Sequence, residues 1–231
     1  MESSGNRQNG PARRRGWRIC VVGTGGQGVL TAARLLCDAF VARGHHVVSG
    51  QLHGMAQRGG SVQSSVMIDC GISPMMAEGQ ADFVLGFEPV EATRALPFMS
   101  AGTIVLMNTA PVIPFVLGQQ SLMEKKNIEY PDVAQLESAI RQVTERVYSF
   151  DATQLATDSG TGAGTGAGSA KALNMLMLGC MLSLGKWPFS ADQFWETAAQ
   201  RMPPALVETS KPVFARGVEI GKAFDPAGAP S

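Results

Sequence analysis

The sequence predicts a three-layer α/β/α fold: a mainly parallel sheet with helices on both faces, followed by a helical C-terminal third. Three observations predict it. Short apolar runs alternate with helix-length segments between residues 18 and 150. This alternation is typical of parallel strands covered on both faces. After residue 150 the strand-like runs end, and longer apolar segments of helical length follow.

Each predicted strand ends at a turn or at the start of a helix. Gly44 ends the first helix, the turn 69–71 closes the third strand, and Pro89 suits the first position of a helix. The predicted strands are 18–22, 46–49, 62–68, 81–87, 102–108 and 146–150, with helices at 29–43, 89–99 and 132–144. The apolar stripe predicted for the first helix is Leu30, Ala33, Leu36, Cys37 and Phe40.

The C-terminal third is predicted to form three helices, at 170–184, 191–202 and 205–223. Ser190 and Gln193 have the spacing of a capping box at the start of the second. The first is apolar nearly all round, which favours burial in the core over a partner interface. We therefore expect one domain over 17–224 containing a glycine-rich loop at 160–168, with tails at 1–16 and 225–231.

Charge and composition exclude several classes of protein. The 231 residues carry 19 basic and 19 acidic side chains, so no net charge favours nucleic acid or a membrane surface as a partner. No apolar run approaches the ~20 residues of a membrane span, and no secretory apolar region follows the basic N-terminus, so we expect a cytoplasmic protein. The scattered cysteines predict neither a metal site nor an iron–sulfur cluster in this chain; they are Cys20, Cys37, Cys70 and Cys180.

The first candidate site is a glycine loop between the first strand and its helix. It satisfies G-x-G-x-x-G in the Rossmann-like context where a helix N-terminus offers free N–H groups to an anion. The loop consists of Gly23, Thr24, Gly25, Gly26, Gln27 and Gly28. This motif alone leaves two interpretations open: a site for NAD(P) or FAD, or a tight turn that binds no ligand.

A second glycine-rich loop follows the second strand. An NAD-binding fold usually has an acidic residue at the end of that strand, but residues 48–53 contain no carboxylate, which weakens the dinucleotide reading. The candidate residues of this loop are Met55, Gln57, Arg58, Gly59, Gly60 and Ser61. Arg58 could hold a phosphate or carboxylate, pair with an acid of another subunit, or be solvated. We expect both loops at the carboxyl ends of adjacent strands, where ligands and partners bind.

Three blocks, in order, resemble the gamma-type domain of 2-oxoacid:ferredoxin oxidoreductases. They are GTGGQGVLTAARLL, HGMAQRGGSVQSSV and SPMMAEGQADFVLGFEPVEATRAL, and the resemblance extends from about residue 18 to about residue 222. The Gly-Met-Ala-Gln-Arg-Gly-Gly segment favours the arylpyruvate branch. The long 160–168 tract and the extended N-terminus depart from the family pattern.

The resemblance implies a complex that converts an arylpyruvate and coenzyme A (CoA) into aryl-acetyl-CoA and CO₂ and reduces ferredoxin. Thiamine diphosphate, magnesium and [4Fe–4S] clusters are expected in a large alpha-type subunit, with ferredoxin an indirect partner. This chain would then be the non-catalytic partner, and its two loops would contact that subunit or CoA. A scaffold role without any substrate contact stays open. For the segment 88–91 we favour the start of a helix over a role in acid–base chemistry, because carboxylates at a helix N-terminus are stabilised by the helix dipole.

Overall fold

The computed structural model describes residues 16–53, 59–112, 130–158 and 167–224. Its strands are β1 (Trp17–Thr24), β2 (Val47–His53), β3 (Ser61–Ile68), β4 (Phe83–Gly86), β5 (Ile104–Asn108) and β6 (Val147–Phe150). Its helices are α1 (Val29–Val41), α2 (Pro89–Arg94), α3 (Val133–Arg141), α4 (Ala152–Asp158), α5 (Ala167–Leu184), α6 (Ala191–Ala199) and α7 (Pro204–Phe224). The predicted α/β class with a helical C-terminal third is confirmed.

One six-stranded sheet has the order β2-β3-β1-β4-β5-β6. The pairs β1–β4, β4–β5 and β5–β6 are parallel, whereas β3 is antiparallel to both β1 and β2. Five of the six strands therefore point the same way, and only β3 is reversed. The sheet is mainly parallel, as predicted, but β3 lies between β1 and β2, which local patterns could not show.

Alternate residues of each central strand face two separate cores. Ile19 and Val21 of β1 pack with the layer that contains α1 and the C-terminal helices. Cys20 and Val22 face the other layer, where Ala92 of α2 and Ile140 of α3 are buried. Because both faces of the sheet are covered, β4 and β5 are buried at every position, and the fold has three layers.

The apolar helix α5 is buried in the core, as its sequence predicts. Leu176, Met177 and Leu178 are all fully buried. α7 packs closely against α5, and a Cβ at Gly217 would collide with the carbonyl oxygen of Leu176. Ser190 and Gln193 form the predicted capping box at the start of α6. Among the described residues no helix is long and apolar enough to cross a membrane.

The structure corrects several predicted elements. The helix predicted at 89–99 ends at Arg94 and continues as a short 3₁₀ turn over 96–98, since Pro97 disfavours α-helical backbone at the residue before it. Helix α4 was not predicted at all. In the stripe of α1, Leu30 and Cys37 are only half-buried, whereas Ala32, Leu35 and Ala39 are buried. The tract 160–168 lies outside the described residues except for its last two, which begin α5.

Candidate functional site

The two candidate loops meet at one edge of the sheet, which we call the carboxyl edge because β1, β2, β4, β5 and β6 end there. The first loop follows β1, and the second connects β2 to β3. Ser61, the first residue of β3, is paired with Thr24, the last residue of β1. The loops therefore lie side by side as expected, but through the reversed strand β3 rather than through adjacent parallel strands.

Hydrogen bonds hold the first loop against the sheet. The Thr24 N–H donates to Gln27 Oε1 at 2.8 Å, and Gln27 Nε2 donates to the carbonyl oxygen of Phe87, after β4, at 2.9 Å. Gln27 is 9% exposed. Because this amide spans two strand ends, the loop is part of the carboxyl edge rather than a free surface turn.

Gly28 caps the N-terminus of α1 without any side-chain hydrogen bond, and the first turn contains no acidic residue. Its φ of 80° and its close contact with Asn174 both exclude a larger side chain. Asn174 Nδ2 donates to the Gly28 carbonyl oxygen at 3.2 Å, while the buried Asn174 Oδ1 has no hydrogen-bond partner among the described residues. The free N–H groups and positive dipole end of α1 can bind an anion.

The described part of the second loop is tied directly to the first. The Gly25 N–H donates to the carbonyl oxygen of Gly60 at 2.8 Å, and the Gly59 N–H donates to that of Gly25 at 3.4 Å. Met55, Gln57 and Arg58 lie outside the described residues. The structure thus brings together the first loop and Gly59, Gly60 and Ser61, and leaves the Arg58 prediction as it was.

A buried acidic pair near these loops was not among the predicted site residues. Glu88 is the N-cap of α2 and accepts a hydrogen bond from the Glu91 N–H at 2.9 Å, so it starts a helix as expected. The Tyr130 hydroxyl also donates a hydrogen bond to Glu88. The pKa of Tyr130 is raised, mainly by burial and secondly by this hydrogen bond. Glu91 is 6% exposed, and burial raises its pKa. The signal available in the sequence was their position directly after β4, at the carboxyl edge.

A pocket of about 650 Å³ lies beside α1, between strands β2 and β3, α5 and the start of α7. Arg34, Lys171 and Asn174 line it, so it adjoins Gly28 through Asn174. Arg201, another lining residue, pairs with Asp38 at 3.3 Å. Three basic side chains, one of them paired with Asp38, and an apolar wall suit a ligand that carries anionic groups.

The four cysteines are free, and the two buried ones lie in separate cores. Cys20 and Cys180 are fully buried on opposite faces of the sheet, and burial raises the pKa of each thiol to about 12. Within the described ranges, no group of three or more potential ligand side chains could hold a metal ion.

The dinucleotide reading is weakened further by the strand order. In a dinucleotide-binding fold the acidic residue that holds the ribose lies at the end of the strand beside β1. Here β3 lies between, so the end of β2 is roughly 10 Å from β1, at two strand spacings.

The sequence of this chain is similar to those of known oxidoreductase subunits. The family described as pyruvate ferredoxin/flavodoxin oxidoreductase matches residues 18–220. Indolepyruvate oxidoreductase subunit IorB of Archaeoglobus fulgidus is 33% identical over 82% of this chain and 88% of its own length. The subunit of the same name from Methanothermobacter thermautotrophicus is 32% identical over 87% of this chain and 95% of its own.

One solved structure shows the same fold. It is a 2-oxoglutarate:ferredoxin oxidoreductase from Magnetococcus marinus with 2-oxoglutarate, coenzyme A and succinyl-CoA bound. The similarity has a TM-score of 0.61 at 16% identity and covers 91% of this chain and 32% of that one. The fold of this chain therefore corresponds to one part of a longer polypeptide there.

Proposed function

The chain belongs to the pyruvate ferredoxin/flavodoxin oxidoreductase family, and from this premise we propose that it is the accessory beta subunit of an indolepyruvate ferredoxin oxidoreductase. It is a component of an oxidoreductase that acts on 2-oxoacids. The observation that carries the finer proposal is similarity over nearly the whole chain to subunits named for indolepyruvate.

In the proposed reaction, an arylpyruvate loses its carboxylate as CO₂, and its acyl carbon forms a thioester with CoA. The two electrons released reduce ferredoxin, and the thiol proton passes to solvent. Thiamine diphosphate, with magnesium, supplies the carbanion chemistry and [4Fe–4S] clusters carry the electrons, all in a large alpha-type subunit. The four cysteines of this chain are free and widely spaced in the sequence, without the C-x-x-C spacing of a cluster motif, which supports that division.

The carboxyl edge is the proposed docking face for the alpha-type subunit and for part of CoA. The free N–H groups in the first turn of α1 suit a pyrophosphate, and the adjoining pocket offers Arg34 and Lys171 to further anionic groups. The second loop, with Arg58, is proposed to contact the partner or the CoA arm.

The test is to express the full chain alone and together with a thiamine-bearing large subunit. With indolepyruvate and CoA, the complex should reduce a viologen dye or ferredoxin, and the chain alone should not. Turnover by the isolated chain, or a tightly held redox group in it, would refute the accessory role.

A paired substitution tests the second loop. Arg58→Ala should weaken subunit binding or raise the KM for CoA by about tenfold, the effect of removing one partner of a charge-assisted hydrogen bond. Arg216→Ala is the control, because Arg216 is exposed on α7 and pairs only with the nearby Glu219 at 3.0 Å in the described structure. Loop variants that assemble with an unchanged KM for CoA would favour the pure scaffold role.

A further inference from the structure

The carboxylate of Glu91 reaches the place where β3 begins beside the end of β1. Ser61 begins β3 directly after the second loop and is paired with Thr24 at the end of β1. The Ser61 hydroxyl donates a hydrogen bond to Glu91 Oε2 at 2.5 Å. Glu91 belongs to α2, 30 residues further along the chain. This contact therefore joins α2 to the base of the second loop.

The burial of Glu91 is not explained by the needs of α2 itself. The N-cap of this helix is Glu88, so Glu91 is not required to start it. Arg94 Nε lies 3.6 Å from Glu91 Oε1, but the Arg94 side chain is 64% exposed, and such pairs contribute little. Burying a carboxylate costs folding free energy, and Glu88 nearby adds repulsion. The closest hydrogen-bond donor to the Glu91 carboxylate in the described structure is the Ser61 hydroxyl.

Thr24 adds an independent observation at the same place. Residues paired across an antiparallel ladder project to the same face, so the Thr24 and Ser61 side chains lie side by side. Thr24 is 4% exposed, and its hydroxyl has no hydrogen-bond partner among the described residues. A buried hydroxyl left unpaired costs about 1–3 kcal/mol. In the described structure, the Glu91–Ser61 contact is therefore the hydrogen bond that joins this end of the β1–β3 ladder to α2.

We propose that Glu91 is a positioning residue: through Ser61 it holds the start of β3, and with it Gly59 and Gly60, in place beside Thr24 and the first loop. The face on which the alpha-type subunit is proposed to dock then keeps its shape through this bond. This inference rests on the docking role proposed above for the carboxyl edge. In this proposal Glu91 neither caps α2 nor takes part in acid–base chemistry.

The positioning step is tested on the full chain by amide hydrogen exchange. Glu91→Ala should speed exchange of the Gly25 N–H, which bonds to Gly60, by about tenfold. Glu91→Gln keeps an acceptor for Ser61 and should change it less than about threefold. The Asp69 N–H, bonded to His46 at the opposite edge, is the internal control and should not change. Unchanged exchange at Gly25, or equal acceleration at both amides, would overturn the proposal.

The docking step is tested on the complex with the large subunit. Glu91→Ala should lower the affinity for the large subunit by about tenfold, whereas Glu91→Gln, which keeps an acceptor for Ser61, should lower it by less than about threefold. Ser61→Ala combined with Glu91→Ala should weaken affinity no more than Glu91→Ala alone, because the two act through one bond. Wild-type affinity of Glu91→Ala, or additive losses in the double variant, would contradict the inference. If the wild-type chain binds no thiamine-bearing subunit, the proposed function fails instead, and the Gly25 exchange still decides the role of Glu91.

Discussion

The carboxylates at the two edges of the sheet have different surroundings. At the edge where β1 and β2 begin, which we call the amino edge, Asp69 accepts hydrogen bonds from His45 Nδ1 at 2.7 Å and the His46 N–H at 2.9 Å. The ring of His45 also packs edge-on against Trp17 at 5.8 Å. Both oxygens of this carboxylate have a partner, and the side chain keeps contact with solvent. The Asp69 carboxylate is thus fully paired within the chain, although the buried Nε of Arg18, near the start of β1, has no hydrogen-bond partner among the described residues.

The carboxyl edge contains a buried carboxylate, an unpaired hydroxyl and a helix N-terminus without a side-chain cap, at Glu91, Thr24 and Gly28. Each of these features lowers stability, yet they occur together where the two loops meet. Departures from local stability rules are expected at functional sites. The difference supports the proposal that the carboxyl edge, rather than the amino edge, contacts another molecule.

The largest predicted effect compares two glycines with nearly equal backbone angles, Gly28 at φ 80° and Gly44 at φ 79°. Alanine at Gly44 meets no atom within 4 Å and should cost only backbone strain, about 1–2 kcal/mol of unfolding free energy. Alanine at Gly28 would also collide with the buried Asn174, and overpacking adds about 1–3 kcal/mol. Urea unfolding of both variants measures the difference. Equal losses would show that the carboxyl edge is no more tightly packed than the amino edge.

A smaller effect is predicted for Glu91→Gln as a function of pH. Burial raises the folded-state pKa of Glu91 above its ordinary 4.5, so ionisation disfavours the folded state. This penalty is absent below the ordinary pKa and complete above the raised one. The variant should therefore gain unfolding free energy relative to wild type as pH rises through that window. Urea midpoints between pH 4 and 8 test it, and a pH-independent difference would contradict the buried-carboxylate description.

The smallest effect, of opposite sign, is predicted for Asp69→Asn at the amino edge. The hydrogen bond from His45 holds the folded-state pKa of Asp69 below its ordinary 3.8. The carboxylate therefore stabilises the fold above that pH, and its contribution is lost as pH falls through the lowered pKa. Asparagine tolerates the φ of 52° and should cost about 0.5 kcal/mol at pH 7, since the partly exposed pair is screened. The difference in unfolding free energy between Asp69→Asn and wild type, measured by urea unfolding, should shrink as pH falls. A difference that grows in acid would contradict a lowered pKa for Asp69.

Local patterns were sufficient for much of this protein. The alternation of apolar runs predicted all six strands, although β2 and the helix after β4 were misjudged in length. The glycine loop, the capping box at Ser190 and the burial of α5 followed from spacing alone. Glu91 shows where that reasoning stops, because a glutamate in the first turn of a helix reads as an ordinary surface residue. Only its contact with Ser61 distinguishes it.

The sequence by itself determined which segments become strands and helices and where the glycine turns fall, since periodicity and turn chemistry act over a few residues. Tertiary structure alone decided that β3 enters reversed between β1 and β2, that Asn174 meets Gly28 from 146 residues away, and that Ser61 meets Glu91. Strand order and side-chain partners depend on pairing between distant segments, which the global packing selects and no local pattern records.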